Sequence, residues 1–224
     1  MTVDLVVVED AHAASAEAAA LLVDAARAGG AIALPGGTTP RAAYAHAAVL
    51  EPDWRAAEIW LGDERMVPAG DSSSNARLVR DALLAALDSP PGAHFVDTSL
   101  PAEEAAAAYD RELRAITLDI ALLGLGPDGH TASLFPHSPA LDERERLAVS
   151  AEPGLEPWVE RVTMTIPALC AARHVVFLAV GRSKAEAARR AFAEPPSPAT
   201  PASLVRSATG RTTAILDAAA AAEL

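Results

Sequence analysis

The sequence predicts an α/β protein with three layers, in which helices cover both faces of a mainly parallel sheet, as a single domain over residues 1–224. Short β-rich segments alternate along the chain with alanine- and leucine-rich segments whose apolar residues recur at helical spacing. One segment, Ile120–Leu125, has no polar interruption, which is typical of a strand buried on both faces of a parallel sheet. The length of 224 residues fits one large α/β domain.

The first elements follow this alternation closely. Val3–Val8 is predicted to be a strand, and Ala11–Ala28 a helix that the following glycine pair ends. Ala31–Leu34 is a second short strand. A glycine- and threonine-rich loop separates it from a helix that we expect to begin at Arg41.

The remaining elements are predicted from the same patterns. The expected strands are Glu58–Leu61, His94–Val96, the apolar run after Asp119, Ala148–Ala151, Arg161–Ile166, His174–Val180 and Arg211–Leu216. The expected helices are Ala76–Leu87, Pro101–Arg114, a helix from Lys184 to Phe192 and an alanine-rich helix that ends at Leu224. Glu152–Pro157 holds two prolines and one glycine, and we expect a loop there that is a candidate lid.

Charge and composition exclude several classes of function. The formal net charge is −12, so we expect no broad nucleic-acid-binding face, which needs clustered lysine and arginine. The single cysteine, Cys170, cannot form an intrachain disulfide, and no Cys/His cluster suggests a metal site. No apolar run reaches the roughly 18–20 residues of a membrane span, and no basic leader is present. We therefore expect a cytoplasmic protein that does not bind membranes, and a monomer.

Four of the predicted strands end in unusual loops. The first holds Gly36, Gly37, Thr38 and Thr39 before a helix start. Such a loop can cradle a phosphate through backbone N–H groups, threonine hydroxyls and the helix N-terminus. No lysine follows the glycines, so this is not a Walker A loop. A tight turn with a threonine N-cap explains the same residues equally well.

The other three loops carry titratable side chains. Asp63 and Arg65 follow one strand, with Asn75 a few residues later; Asp128, Gly129 and His130 follow the apolar strand; and Arg182 and Lys184 follow another. Each could instead be a solvated loop with local ion pairs or caps. Because the carboxyl ends of parallel strands lie along one edge of a sheet, where ligands bind, the convergence of all four loops predicts a site.

The motifs together identify a family resemblance. LPGGTTP, GDER followed by SSSN, LLGLGPDGHTASLFP, RVTMTIPAL, GRSKA and PASLVR occur in this order, and the chain resembles the 6-phosphogluconolactonases from end to end. The resemblance implies a Rossmann-like fold shared with sugar-phosphate isomerases and deaminases. It also implies hydrolysis of 6-phospho-D-glucono-1,5-lactone in the oxidative pentose phosphate pathway, without a metal or cofactor.

The resemblance also implies roles for matching residues. His130 is the general base, Asp128 orients it, and Arg65 lies close to the lactone or its phosphate. The loop from Gly36 to Thr39 and Lys184 are phosphate ligands, and we include Asp63, Asn75, Gly129 and Arg182 among the candidate binding residues. Three positions depart from the family pattern: Thr38 stands where serine is common, Ala76 where tyrosine is common, and Cys170 where asparagine is common.

The chemistry agrees with these roles. A lactone is an activated ester, and a histidine beside a carboxylate can deprotonate the attacking water near neutral pH. Arg65 or loop N–H groups can stabilise the oxyanion. Ser133 is a rival nucleophile, but no GxSxG elbow surrounds it. Two alternatives remain open: a deaminase similar to glucosamine-6-phosphate deaminase, whose segment after DGH usually carries a further acid, and a non-catalytic sugar-phosphate sensor.

Overall fold

The computed structural model describes residues 2–224. Within them lie ten strands: β1 (Asp4–Val8), β2 (Ala31–Leu34), β3 (Glu58–Leu61), β4 (Asp63–Arg65), β5 (Gly92–His94), β6 (Ile120–Gly124), β7 (Ala148–Ala151), β8 (Arg161–Met164), β9 (His174–Ala179) and β10 (Arg211–Asp217). The same residues form six α-helices: α1 (Ala11–Arg27), α2 (Thr38–Leu50), α3 (Asn75–Ala82), α4 (Ala102–Leu113), α5 (Ile166–Ala171) and α6 (Ala185–Phe192). No helix among these residues is both long and apolar enough to cross a membrane.

Seven strands form one parallel sheet in the order β1-β10-β9-β6-β2-β3-β5. The strands β9, β6, β2 and β3 are consecutive neighbours, and each precedes one of the four loops that the sequence singles out. The prediction of a mainly parallel α/β fold is therefore confirmed. The topology also brings the four loops to one edge of the sheet, because parallel neighbours share their carboxyl ends.

Alternate residues of the central strands face two separate cores. In β6, Leu122 packs with Ile32 and the helices α1, α2 and α3, while Leu123 faces the opposite side. On that side it joins Phe177 in a core with α4, α5 and α6. Both faces of the sheet are thus covered, which explains why β6 reads as a continuous apolar run.

A second, three-stranded sheet differs from the sequence prediction. The segment Asp63–Arg65, expected as a loop, is strand β4 and pairs antiparallel with β8, which also pairs antiparallel with β7. The chain leaves β3 through Gly62, whose carbonyl accepts from the N–H of Met164 at 2.8 Å. The loop prediction failed because charged residues read as solvent-facing, whereas here the small sheet pairs their backbone and buries Asp63 and Glu64.

Several element boundaries also differ, and one predicted helix does not form. Helix α2 begins at Thr38 and not at Arg41, because Gly37 with φ = 105° turns the chain directly into the helix. Strand β5 lies at Gly92–His94, two residues before its expected position. The alanine-rich helix expected at the C-terminus is wrong: the residues after Asp217 form turns. There the Asp217 carboxylate accepts from Ala220 N at 2.7 Å and from the N–H of Gly181, and the N–H of Ala221 donates to Asp217 O at 3.0 Å.

Candidate active site

A cavity of about 270 Å³ opens where β2, β3, β6 and β9 end. Of the residues that the sequence singles out, the cavity is lined by Gly36, Gly37, Thr38, Thr39, Asp63, Arg65, Asn75, His130 and Lys184. Asp128 and Gly129, the two residues before His130, are outside the lining, and so is Arg182, which is exposed. The loops predicted to converge therefore do meet around one concave space.

His130 and Asp128 form a hydrogen-bonded pair at this cavity. Nδ1 of His130 lies 2.6 Å from Oδ1 of Asp128, and the His130 backbone N–H donates to the same oxygen at 3.1 Å. Burial raises the pKa of Asp128, but the hydrogen bonds and charge of His130 outweigh it and hold that pKa below its ordinary value. Because an ionised carboxylate only accepts, Nδ1 carries the proton of this hydrogen bond, and in the neutral form of the imidazole the free lone pair is then on Nε2.

The loop between β6 and His130 is closed by its own backbone. The N–H of Gly126 donates to His130 O at 2.8 Å, and the N–H of Gly129 donates to Gly126 O at 3.0 Å. A Cβ on Gly126 would overlap the His130 ring and the Asp128 carboxylate. Gly129 has φ = 93°, a conformation that side chains other than glycine rarely adopt. The glycines of the motif therefore serve the geometry of the pair.

Arg65, Asn75 and Asp63 form a network in another part of the cavity wall. Nη1 of Arg65 donates to Ser73 O at 2.6 Å and to Oδ1 of Asn75 at 2.8 Å. The Asn75 amide in turn donates to the Asp63 backbone at 2.8 Å and to its carboxylate at 3.1 Å. Gly36 is required beside this network, since a Cβ there would overlap the Asn75 side chain. Asp63 and Asn75 thus fix the orientation of Arg65.

Glu64, between two candidate residues, holds the same wall from behind. It is fully buried, and its carboxylate accepts from the N–H groups of Arg65, Asn75 and Ala76 at 2.7–2.8 Å. Burial raises the pKa of Glu64 although these backbone bonds act in the opposite direction. The carboxylate also occupies the N-terminus of α3, where negative charge is favoured. Glu64 belongs to the GDER motif, but its residue type and position in the sequence do not indicate this supporting role.

The glycine–threonine loop presents a helix N-terminus to the cavity. Gly37 is the N-cap residue and has no side chain that could cap the helix. Thr38 and Thr39 lie after it, in the first turn of α2. Their position excludes the alternative of a threonine N-cap. The buried Tyr44 hydroxyl donates to Pro35 O at 2.6 Å and fixes the start of the loop. The first N–H groups of α2 remain available to an anion.

Of the two cations in the loop after β9, Lys184 lines the cavity and Arg182 does not. Lys184 is half-buried, and burial lowers its pKa although the negative charge of Asp128 acts in the opposite direction. Arg206, the arginine of the PASLVR motif, instead donates to the carbonyls of Ala191, Ala202 and Val205. It lies outside the cavity lining.

Arg161 is a cavity residue that the sequence analysis missed. It is only 2% exposed, and its Nη2 donates to Leu155 O at 2.9 Å and Pro157 O at 3.2 Å. Its Nε is buried without a partner among the described residues. Burial lowers the pKa of Arg161, and the charge of Arg65 lowers it further. The only signal was the arginine that opens RVTMTIPAL, which the strand pattern assigned to a half-buried strand.

Comparisons with known proteins agree with this architecture. The sequence model of the family described as "Glucosamine-6-phosphate isomerases/6-phosphogluconolactonase" matches residues 6–214. A 6-phosphogluconolactonase from Streptomyces coelicolor is 35% identical, over 96% of this chain and 85% of that protein. The structure of 6-phosphogluconolactonase from Trypanosoma cruzi matches with a TM-score of 0.88 and 31% identity, over 100% of this chain and 98% of that one.

One further structure has a similar fold but a different named function. A monomeric glucosamine-6-phosphate deaminase has a TM-score of 0.87 and covers 99% of this chain and 100% of its own, but its sequence identity is 20%. That likeness shows the fold alone. The matching family holds both isomerases and 6-phosphogluconolactonases, and the sequence relative described above is a 6-phosphogluconolactonase. The resemblance predicted from the ordered motifs is confirmed: this chain belongs to the 6-phosphogluconolactonase family.

Proposed function

We propose that this chain hydrolyses 6-phospho-D-glucono-1,5-lactone to 6-phospho-D-gluconate, a reaction of the oxidative pentose phosphate pathway, with His130 as the general base. The observation that carries this proposal is the His130–Asp128 hydrogen bond of 2.6 Å at the edge of a cavity lined by Arg65, Arg161 and Lys184. A base with a fixed tautomer and nearby cations suits an anionic ester substrate.

The reaction follows from the free lone pair on Nε2. In the first step His130 removes a proton from water while the water oxygen bonds to the lactone carbonyl carbon, and the carbonyl oxygen becomes an oxyanion. In the second step the oxyanion reforms the carbonyl, the bond between this carbon and the ring oxygen breaks, and imidazolium returns its proton to the ring oxygen. Asp128 stabilises the imidazolium between the two steps without itself becoming protonated.

The cations divide between two sides of the cavity. Lys184 and the N-terminus of α2 lie at the ends of β9 and β2, and we assign the substrate phosphate to them. Arg65 and Arg161 are register partners on β4 and β8, and we assign them to the lactone oxygens and the developing oxyanion. One such donor is typically worth about 3 kcal/mol in the transition state.

No observation favours the deaminase alternative over this reaction. The segment from Thr131 to Pro136 contains no acid. Its polar groups are already engaged: Thr131 Oγ1 donates to Gly124 O at 2.8 Å, and Ser133 Oγ donates to Asp63 at 2.6 Å. Release of ammonia from glucosamine 6-phosphate by this protein would nevertheless support the deaminase alternative.

The test is lactone decay followed in real time, with the lactone generated from glucose 6-phosphate by an added dehydrogenase. Wild type should exceed the spontaneous rate, and His130→Ala should lose activity by orders of magnitude while still binding 6-phosphogluconate. His12→Ala, at an exposed position of α1, is the matched control and should equal wild type. No acceleration by wild type would refute the function; normal turnover by His130→Ala would remove His130 as the base.

A further inference from the structure

The loop that carries the catalytic pair is held from outside the cavity by α6 and the segment after it. Nη2 of Arg190 donates to Pro127 O at 3.1 Å, and Nη1 lies 3.5 Å from Asp128 O. The next carbonyl, that of Gly129, accepts from Ala202 N at 3.0 Å. Three consecutive carbonyls of the loop are therefore bound by groups that do not line the cavity.

Arg190 is integrated into this contact and is not an ordinary surface arginine. Its side chain is only 24% exposed, and its buried Nε makes no hydrogen bond among residues 2–224, although Oε1 of Glu186 lies 3.7 Å from it. Its Nη1 also lies 3.3 Å from Oγ1 of Thr200, a buried residue. The preceding residue, Arg189, instead pairs with Glu194 and Glu223 near the surface.

Thr200 closes the gap between Arg190 and the loop. A Cβ on Gly129 would lie 2.8 Å from Thr200 Cγ2, so the loop backbone and the threonine are in tight contact. Gly129 also has a positive φ, and the loop must keep this turn for Asp128 to fold back onto His130. The guanidinium, the threonine and the glycine thus form one continuous contact behind the pair.

We propose that Arg190 is a positioning residue for the lactonase reaction. By holding the carbonyls of Pro127 and Asp128, it fixes the backbone from which the Asp128 carboxylate reaches Nδ1 of His130, and so keeps the imidazole in the tautomer that leaves Nε2 free. Its kinetic readout rests on the proposed function. Arg190 itself touches neither substrate nor reacting atoms, since it lies outside the cavity lining.

The physical need for such a residue comes from the loop. The Asp128 side chain is 44% exposed, so water competes for its carboxylate whenever the backbone shifts. A displacement of about 1 Å at a catalytic group can reduce turnover by about 10²-fold. A planar guanidinium can bind two carbonyls and a hydroxyl at once, whereas the ammonium of lysine is a flexible point charge. Arg190→Lys should therefore restore only part of the function lost in Arg190→Ala.

The experiment compares Arg190→Ala, Arg190→Lys and Thr200→Val with the control Arg189→Ala. We expect Arg190→Ala to lower kcat about 10- to 100-fold with KM changed less than about threefold, and to alter the pH profile of kcat/KM. Arg190→Lys and Thr200→Val should be intermediate, and Arg189→Ala should equal wild type. In an Asp128→Asn background, Arg190→Ala should cost less than about threefold, because both act through one pair.

An activity-independent readout separates this inference from the proposed function. Nitrogen-15 NMR of His130 in the free protein should show the Nδ1–H tautomer in wild type and a larger Nε2–H population in Arg190→Ala. If wild type does not hydrolyse the lactone, the proposed function fails, and the tautomer still decides the role of Arg190. A lowered Tm with unchanged kcat, pH profile and tautomer, or full additivity with Asp128→Asn, would overturn the inference. If Arg190→Ala does not fold, Arg190→Lys is judged by the same measurements.

Discussion

The hydroxyl of Ser133 donates a hydrogen bond to Oδ2 of Asp63, 2.6 Å away, and so connects the loop after β6 to strand β4. Both side chains are buried. Asp63 also receives the Asn75 amide, whose other end orients Arg65. The serine three residues after the proposed base is therefore bonded to a carboxylate that supports the wall of the cavity, and it is fully buried and outside the cavity lining, where a nucleophile would have to lie.

The Ser133–Asp63 contact predicts a structural effect of substitution. Ser133→Ala should leave kcat within a few-fold of wild type, because no covalent intermediate forms on this residue. It should lower the free energy of unfolding by about 1–3 kcal/mol, since the buried Asp63 carboxylate loses a donor. Urea unfolding and lactone hydrolysis measure the two effects. Loss of all activity in a stably folded Ser133→Ala variant would contradict the water-attack mechanism.

The close approach of Gly126 to His130 and Asp128 predicts that a larger residue at this position would displace the pair. In Gly126→Ala the added methyl would overlap His130 and Asp128, so we expect kcat to fall by about 10²-fold or more as the pair is displaced. Gly62→Ala is the matched control, because a methyl there meets only ordinary contacts at 3.9 Å and 4.0 Å. Equal kcat in the two variants would show that the close approach of Gly126 to the pair does not matter for turnover.

The two cations after β9 should behave differently. Lys184 lines the cavity and Arg182 does not, so Lys184→Ala should weaken 6-phosphogluconate binding and reduce its salt dependence, whereas Arg182→Ala should change it less than about twofold. Because burial lowers the pKa of Lys184, wild-type affinity should also decline at a lower alkaline pH than free lysine predicts. Isothermal titration calorimetry across salt and pH checks both effects. The reverse ranking of the two variants would assign the phosphate to Arg182.

The burial of His174 predicts that the protein loses stability at acid pH. It is buried at the start of β9, where Nε2 lies 2.9 Å from Thr213 Oγ1 and Arg211 approaches Nδ1. Burial, assisted by the charge of Arg211 and partly opposed by that of Asp4, lowers its pKa to about 4. Between about pH 6.5 and pH 4 the unfolded chain therefore binds more protons at this site, and the free energy of unfolding falls as pH falls.

His174→Gln should remove this contribution. The difference in unfolding free energy between wild type and variant should change by about 1–3 kcal/mol over that pH interval, in the direction that makes wild type relatively weaker at low pH. The carboxylates titrate in both proteins, so most of their contribution cancels in the difference. A difference that stays constant from pH 7 to pH 4 would contradict the lowered pKa of His174.

Local sequence patterns predicted most of the sheet because burial leaves a local trace. Strands such as β6 and β9 are apolar on both faces, and glycine marks the points where the chain must turn. The pattern failed at Asp63–Arg65, where pairing with β8 decides the conformation, and at the C-terminus, where the alanines after Asp217 form turns. Strand β8 lies about a hundred positions from Asp63–Arg65, and its residue types do not mark it as the partner of that segment.

The sequence by itself determined the fold class, the family and the convergence of four loops, because parallel topology places successive strand ends at one edge whatever the details. It also marked His130 and Asp128, which are two residues apart and meet through local turn geometry. Only the tertiary structure decided that Arg161 and Lys184 line the cavity while Arg182 does not, and that Arg190 supports the loop from behind. These contacts join residues up to about sixty positions apart, and their direction depends on packing that no local pattern encodes.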